Sequence, residues 1–339
     1  VLAVLLLFFV KPIVSVMSTP AEAVSGTAAY LTICFLGIPF ITAYNVISSI
    51  FRGLGDSKSP MYFIAVACAV NIILDYLFIG FFHLGASGAA LGTTLSQACS
   101  VLFALIAIKR KQTGLSLSGD CFRPQKKPLG KILNIGIPVA LQDGFIQIAF
   151  IVITIIANRR GLNAAAAVGI VEKIISFLFL VPSSMLSTVS ALAAQNIGAG
   201  KKSRAWKGFY TAIITGCSVG IIIFMVGFFG GGVLSSFFTN DSEVIAQSAA
   251  YLKGFSADCI LTCVLFSSIG YFNGCGKSIP VMIQGITSAF CIRIPVSIIM
   301  SRLPETSLTY VGMATPITTV YGIIFFMICF WRLNKKAAK

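Results

Sequence analysis

The chain has 339 residues, of which 57% are hydrophobic and only 10% charged, with a mean hydropathy of +0.95 and a formal net charge of +15. A soluble domain carries about 25% charged residues, so this composition excludes one and points to a polytopic membrane protein with almost no extramembrane domain. The positive excess does not mark a nucleic-acid partner: the basic residues sit in short loops between apolar runs, where Lys and Arg are held on the cytoplasmic side.

Apolar runs of about 20 residues are long enough to span a bilayer as helices. Ten are predicted, at about 1–17, 26–50, 60–82, 86–108, 132–157, 164–192, 207–237, 245–271, 279–300 and 309–331. The longest linker, Lys109 to Lys131, is polar, holds seven basic residues and contains Pro124 and Pro128. It reads as a cytoplasmic connector, mobile relative to the lobes it joins. The expected organisation is an N-terminal lobe at 1–108, the connector at 109–131 and a C-terminal lobe at 132–339. Alternate loops hold 18 Lys and Arg on one side and four (Lys11, Arg159, Arg160, Arg302) on the other. The connector and the C-terminus are therefore expected to be cytoplasmic in a multi-pass plasma (inner) membrane protein. The ten cysteines lie mostly within apolar runs and read as small apolar filler rather than metal ligands or disulfides.

One stretch occurs twice. Phe51-Arg52-Gly53-Leu54-Gly55-Asp56-Ser57-Lys58 returns as Phe272-Asn273-Gly274-Cys275-Gly276-Lys277-Ser278, and the shift from Gly53 to Gly274 is 221 residues. The same shift carries Ala28-Ala29-Tyr30-Leu31 onto Ala249-Ala250-Tyr251-Leu252. Matches so far apart at one offset imply two homologous halves, as in many transporters. The offset places Val1 opposite Ile222, inside the third run of the second half, so runs 132–157 and 164–192 have no first-half counterparts. The chain reads as an all-α parallel six-helix repeat whose first lobe lacks its first two helices. It opens on Val, and the N-terminus is read as incomplete.

An ionisable group at mid-bilayer costs about 2.5–3.5 kcal/mol, so each needs a reason. Asp143, Gln147 and Thr154 share one face of their run. They form either a polar wall of a second-lobe cavity or an interhelical hydrogen bond. Glu172, Ser176, Ser183 and Ser187 line another face, as cavity wall or as ordinary small packing positions, with Lys173 beside Glu172. Asp258, with Thr262 one turn on, lies near the middle of its run. It reads as a site for a cation or a proton, or as a buried partner of Arg293 or Lys253. His83 lies near an outer loop and reads as solvated.

Several stretches resemble the multidrug and toxic compound extrusion (MATE) transporters: Arg52-Gly53-Leu54-Gly55-Asp56, Asn71-Ile72-Ile73-Leu74-Asp75, Gly85 to Thr93, Gly136-Ile137-Pro138, and Ala194-Gln195-Asn196-Ile197-Gly198-Ala199-Gly200. The resemblance covers essentially the whole chain. It implies two six-helix lobes in a V and export of mostly cationic organic compounds against entering sodium or protons. It also implies a first-lobe ion site at Asn71, Asp75 and Thr93, joined in the family by an aspartate on the missing first helix. The residues themselves agree on depth. Asp75 lies about 22 Å from the cytoplasmic end of its run, and Thr93 returns to a similar level on the next. Oxygen ligands of this kind suit sodium, and the carboxylate alone can carry a proton.

The expected function is ion-coupled antiport of small organic cations, with Asp143, Gln147, Glu172 and Asp258 in the substrate cavity. The protein is expected to be a monomer in contact with membrane lipid, with no cofactor beyond the coupling sodium or proton and no metal beyond a sodium at Asp75. The alternative is a flippase for a lipid-linked sugar, whose lumen should be richly basic; here Lys173, Lys253 and Arg293 are the intramembrane cations. An intramembrane enzyme is not expected: there is one histidine, and no His-Glu-x-x-His, Gly-x-Ser-x-Gly or Asp-rich diphosphate motif.

Overall fold

The computed structural model describes residues 2–16, 21–110, 125–158, 162–302 and 308–337, and all its regular structure is helical. The helices are α1 Leu2–Phe8, α2 Val10–Val16, α3 Ala21–Gly53, α4 Lys58–Asp75, α5 Gly85–Arg110, α6 Lys126–Asn158 and α7 Leu162–Leu178. They continue as α8 Leu180–Gly198, α9 Lys202–Ser236, α10 Ser242–Phe255, α11 Asp258–Gly274, α12 Ser278–Thr287, α13 Ile294–Arg302 and α14 Leu308–Ala337. Two π-helical turns interrupt this series, Tyr76–Phe81 after α4 and Ser288–Arg293 between α12 and α13. With no water in a bilayer core, a helix is the way for a lone segment to satisfy its own backbone, and this is why apolar sequence folds this way. Large side chains such as Phe8, Tyr76 and Phe229 face outward, inverting the pattern of a soluble fold.

Ten spans were expected. Among the described residues seven helical segments are long and apolar enough to cross a membrane, and two bent pairs bring the number to nine. The run at 1–17 is instead two seven-residue helices, α1 and α2. Pro12 accounts for this: its ring collides with the carbonyl four residues back, and α1 ends at that residue, Phe8. The run at 164–192 is bent by 40° between α7 and α8. Pro182 stands four residues beyond Leu178, where α7 ends.

The run at 245–271 is bent by 47° at Ser256 and Ala257 without a proline. Here the Ser256 hydroxyl donates to Leu252 O (2.5 Å), a back-bond that bends helices. The predicted connector lies mostly outside the described residues, at 111–124. Its two ends are helical, since α5 runs to Arg110 and α6 begins at Lys126.

The chain divides into two compact units, residues 1–123 and 124–339. In the first, α3 and α4 pack on α5, around Tyr44, Phe51, Phe63, Ala104 and Ile108. In the second, α11 packs on α8 and α9, and α10 packs on α9 and α14. Trp206, Phe209, Tyr271, Phe272, Phe326 and Phe330 interlock where α9, α11 and α14 meet, with ring centroids 4.9–5.6 Å apart in the closest pairs. Each such pair adds about 0.5–1.5 kcal/mol beyond its buried area.

The repeat has a structural counterpart. The bounds of α3, Ala21 and Gly53, recur 221 residues on as the bounds of the α10–α11 pair, Ser242 and Gly274. The turn that follows is built the same way in both units. Gly55 N and Asp56 N donate to Arg52 O and Phe51 O, and Gly276 N and Lys277 N donate to Asn273 O and Phe272 O. This is the Schellman arrangement, which needs a left-handed residue, and Gly55 (φ +87°) and Gly276 (φ +70°) supply it.

Candidate functional site

A cavity of about 800 Å³ opens within the second unit. Asp143 and Gln147 reach it from α6, Glu172 and Ser176 from α7, and Asp258 and Thr262 from α11. The side chains of Phe150, Phe179 and Phe266 supply flat apolar wall between them. All four residues expected in a substrate cavity, Asp143, Gln147, Glu172 and Asp258, therefore line one space. Ser183 and Ser187 are not on its wall; from α8 it is Leu186 that reaches it. Lys173 is exposed and is not on the wall either. The side chain of Thr154 lies outside the described residues.

Asp258 is 1% exposed and opens α11 just past the bend. A carboxylate in a helix's first turn meets unpaired N–H groups and the positive end of the helix dipole. Its Oδ2 accepts a hydrogen bond from Thr262 Oγ1 (2.8 Å), as the one-turn spacing predicts. Its Oδ1 is buried without a hydrogen-bond partner. The break thus turns a mid-span position into a helix start, which is where a buried carboxylate is best tolerated.

Arg293, expected only as a buried partner of Asp258, also lies on the wall. It ends the π-helical turn Ser288–Arg293 and is 8% exposed. Its guanidinium lies over the Phe150 ring at 4.3 Å, and Nη2 donates to Thr315 Oγ1 at 3.3 Å. Its Nε is buried without a partner. Lys253, the other partner considered for Asp258, sits over Phe228 at 5.6 Å. Also missed were Gln142, Gln284 and Ser288, the last two joined by a hydrogen bond from Gln284 Nε2 to Ser288 Oγ (2.7 Å). A cation inside an apolar run was the visible signal for Arg293. The neutral polar residues gave none, since hydroxyls and amides are ordinary packing groups in membrane helices.

In the first unit, Asn71 and Asp75 are brought together at Gly92 of α5. A Cβ there would run into the Asp75 carboxylate and stand 3.5 Å from Asn71 Nδ2. Asp75 Oδ1 and Asn71 Nδ2 are both buried without a hydrogen-bond partner. Thr93, the third residue expected here, is exposed. Successive helical residues point about 100° apart, so the position facing the carboxylate is Gly92 rather than Thr93. The π-helical turn Tyr76–Phe81 follows Asp75 directly, and such turns are frequent at functional sites.

Apolar spans in both units, and a cavity in the second with carboxylates on its wall, define a multi-pass membrane protein. Comparison with known proteins gives the same class. The MatE family model matches residues 1–77 and 138–299, and the chain belongs to that family. It is 29% identical over 295 residues to the "Probable multidrug resistance protein YpnP" of Bacillus subtilis (strain 168), covering 87% of this chain and 66% of that protein. It is 26% identical over 306 residues to the "Multidrug export protein MepA" of Staphylococcus saprophyticus, covering 88% and 65%. The chain thus spans just under two thirds of the length of these relatives. Among solved structures, a MATE transporter crystallised with MaL6 aligns with a TM-score of 0.93 at 20% identity, covering 99% of this chain and 76% of that one. A MOP superfamily transporter from Pyrococcus furiosus, described as having a binding pocket of reversed polarity, aligns at 0.92 and 21% identity, covering 98% and 75%. At these identities the two structures speak to the fold alone.

Proposed function

We propose that the protein exports small organic cations by antiport against sodium or protons. The cavity in the second unit binds the compound, and Asp75 with Asn71 carries the coupling ion. The observation that supports this most is the placement of Asp143, Glu172 and Asp258 on one largely apolar wall. Ligand pockets of 300–1,000 Å³ with a few placed polar groups are the usual form of a small-molecule site, and this cavity falls within that range. Three carboxylates against one guanidinium give it a negative balance suited to a cation. The names of the relatives speak of multidrug resistance and multidrug export, and the same activity is proposed here. A flippase for a lipid-linked sugar is less well supported, since its diphosphate would meet mostly carboxylates.

The coupling site is proposed on geometry. A carboxylate oxygen, Asp75 Oδ1, and an amide nitrogen, Asn71 Nδ2, stand near each other, buried and without hydrogen-bond partners, where a glycine leaves room for them. An ion or a proton would satisfy the carboxylate. The test is transport in proteoliposomes of a fluorescent organic cation, with an inward sodium gradient and then a proton gradient imposed. Export driven by one of them is expected. Equal flux with and without either gradient would overturn the coupling, and no flux of any organic cation would overturn the substrate class.

A further inference from the structure

One end of the second unit gathers positive charge. α8 and α11 run the same way, since Gly270 packs against Leu186 and Gly274 against Ser190, so both helices end there. Each closes in a Schellman turn on a left-handed glycine, Gly200 (φ +74°) or Gly276 (φ +70°), and a lysine follows at once, Lys201 or Lys277. In the first unit the residue after Gly55 is Asp56, whose carboxylate accepts from Lys58 N (3.1 Å) and Ser59 N (3.0 Å). That turn carries its own anion, and the two neighbouring turns of the second unit carry a cation in its place.

α9 and α14 bring further charge to the same level. The Trp206 ring, near the start of α9, lies 5.5 Å from Tyr271 at the end of α11 and 5.1 Å from Phe330 near the end of α14. Beside it on α9 stand Lys202, Arg204 and Lys207, and beyond Phe330 come Arg332 and Lys335, all exposed like Lys201 and Lys277. No Asp or Glu occurs in 190–210, 268–282 or 322–337, the three stretches that meet here. Counter-charge for these cations therefore comes from outside the chain.

The aromatic residues say what supplies it. Tryptophan and tyrosine favour the headgroup level of a bilayer. Both tryptophans of the chain are at this end, and Trp331 is 62% and Tyr210 52% exposed. Lys335 Nζ stands 5.2 Å from the centroid of the Trp331 ring. A soluble anion would meet the lysines alone, whereas a lipid meets the rings with its glycerol region and the cations with its phosphate.

We infer that this end of the second unit is a docking surface for anionic phospholipid. The headgroup phosphate sits at the paired turns of Lys201 and Lys277, and the glycerol region lies against the tryptophans. The inference is independent of what the cavity binds.

The two tryptophans read this surface directly. Purified protein in phosphatidylcholine nanodiscs receives an equal small fraction of phosphatidylglycerol or phosphatidylcholine spin-labelled near the headgroup end of one acyl chain, and quenching of intrinsic fluorescence is recorded. Phosphatidylglycerol is expected to be enriched about fivefold at the tryptophans, the scale of one basic residue's attraction to an anionic leaflet. Lys201→Gln with Lys277→Gln is expected to bring the two lipids close to equality while quenching by phosphatidylcholine stays unchanged, which also reports an intact fold. If that variant fails to assemble, Arg332→Gln with Lys335→Gln carries the test and should at least halve the preference. Equal quenching by both lipids in the wild type would overturn the inference, and so would an unchanged preference in the variant that assembles. Loss of the preference in millimolar inorganic phosphate, but not in chloride of the same ionic strength, would overturn it in favour of a free-anion site.

Discussion

At Gly92 a missing side chain makes room for the Asp75 carboxylate, and the two residues stand or fall together. Gly92→Ala puts a methyl group against Asp75 Oδ1. Overpacking of this kind costs about 1–3 kcal/mol, and here it would also displace the proposed ion ligand. The expected outcome is a protein that still reaches the membrane but loses most gradient-driven export; wild-type export by Gly92→Ala would contradict the geometry. In the second unit, Thr262→Val removes the donor to Asp258 Oδ2 at nearly constant volume. Thermal unfolding in detergent should show a loss of about 1–3 kcal/mol, recovered by Thr262→Ser, which keeps the hydroxyl. The pairing of Asn71 with Asp75, and of Asp258 with Thr262, could be read from residues four apart. The family resemblance and depth together put Thr93 at this level, and depth does not fix which way a side chain points around a helix. Gly92 gave no signal, because a glycine in a membrane helix is ordinary until its neighbour is known.

At the scale of the element, apolar length located the helices but not their breaks. Pro39, Pro138 and Pro316 lie inside continuous helices, whereas Pro12 and Pro182 stand four residues past a helix end. A proline collides with the preceding turn in each case. Whether the helix bends or absorbs the lost hydrogen bond depends on what packs around it. The bend at Ser256 has no proline and was not visible in the sequence, yet it converts Asp258 into the first residue of a helix. If Pro182 causes the bend between α7 and α8, Pro182→Ala should let the pair straighten. Spin labels at positions 164 and 196 would then move apart by up to about 3 Å, judged from helix length and the 40° angle. An unchanged distance by pulsed electron resonance would assign the bend to packing instead.

For the whole molecule, the 221-residue repeat was legible because Schellman turns demand glycine at a fixed place and so leave a mark in sequence. Composition gave the membrane class, and the family follows from the motifs and from the match over most of the chain. The charge balance of the second unit's cavity was legible only in part: the carboxylates announced themselves singly, and their convergence with Arg293 depends on bends that the sequence conceals. The placement of residues 109–131 on the cytoplasmic side remains a prediction of the Lys and Arg count. A cysteine introduced at position 116, in a background freed of native cysteines, should react with an impermeant maleimide only after cells are opened. Reaction in sealed cells would reverse the topology. The central claim is that compound binding and ion coupling reside in different residues, and Asp75→Asn tests it most directly. In proteoliposomes this variant should still exchange labelled for unlabelled organic cation at near wild-type rates, while accumulation driven by a sodium or proton gradient is lost. Gradient-driven accumulation at the wild-type level by a well-folded Asp75→Asn protein would contradict the account.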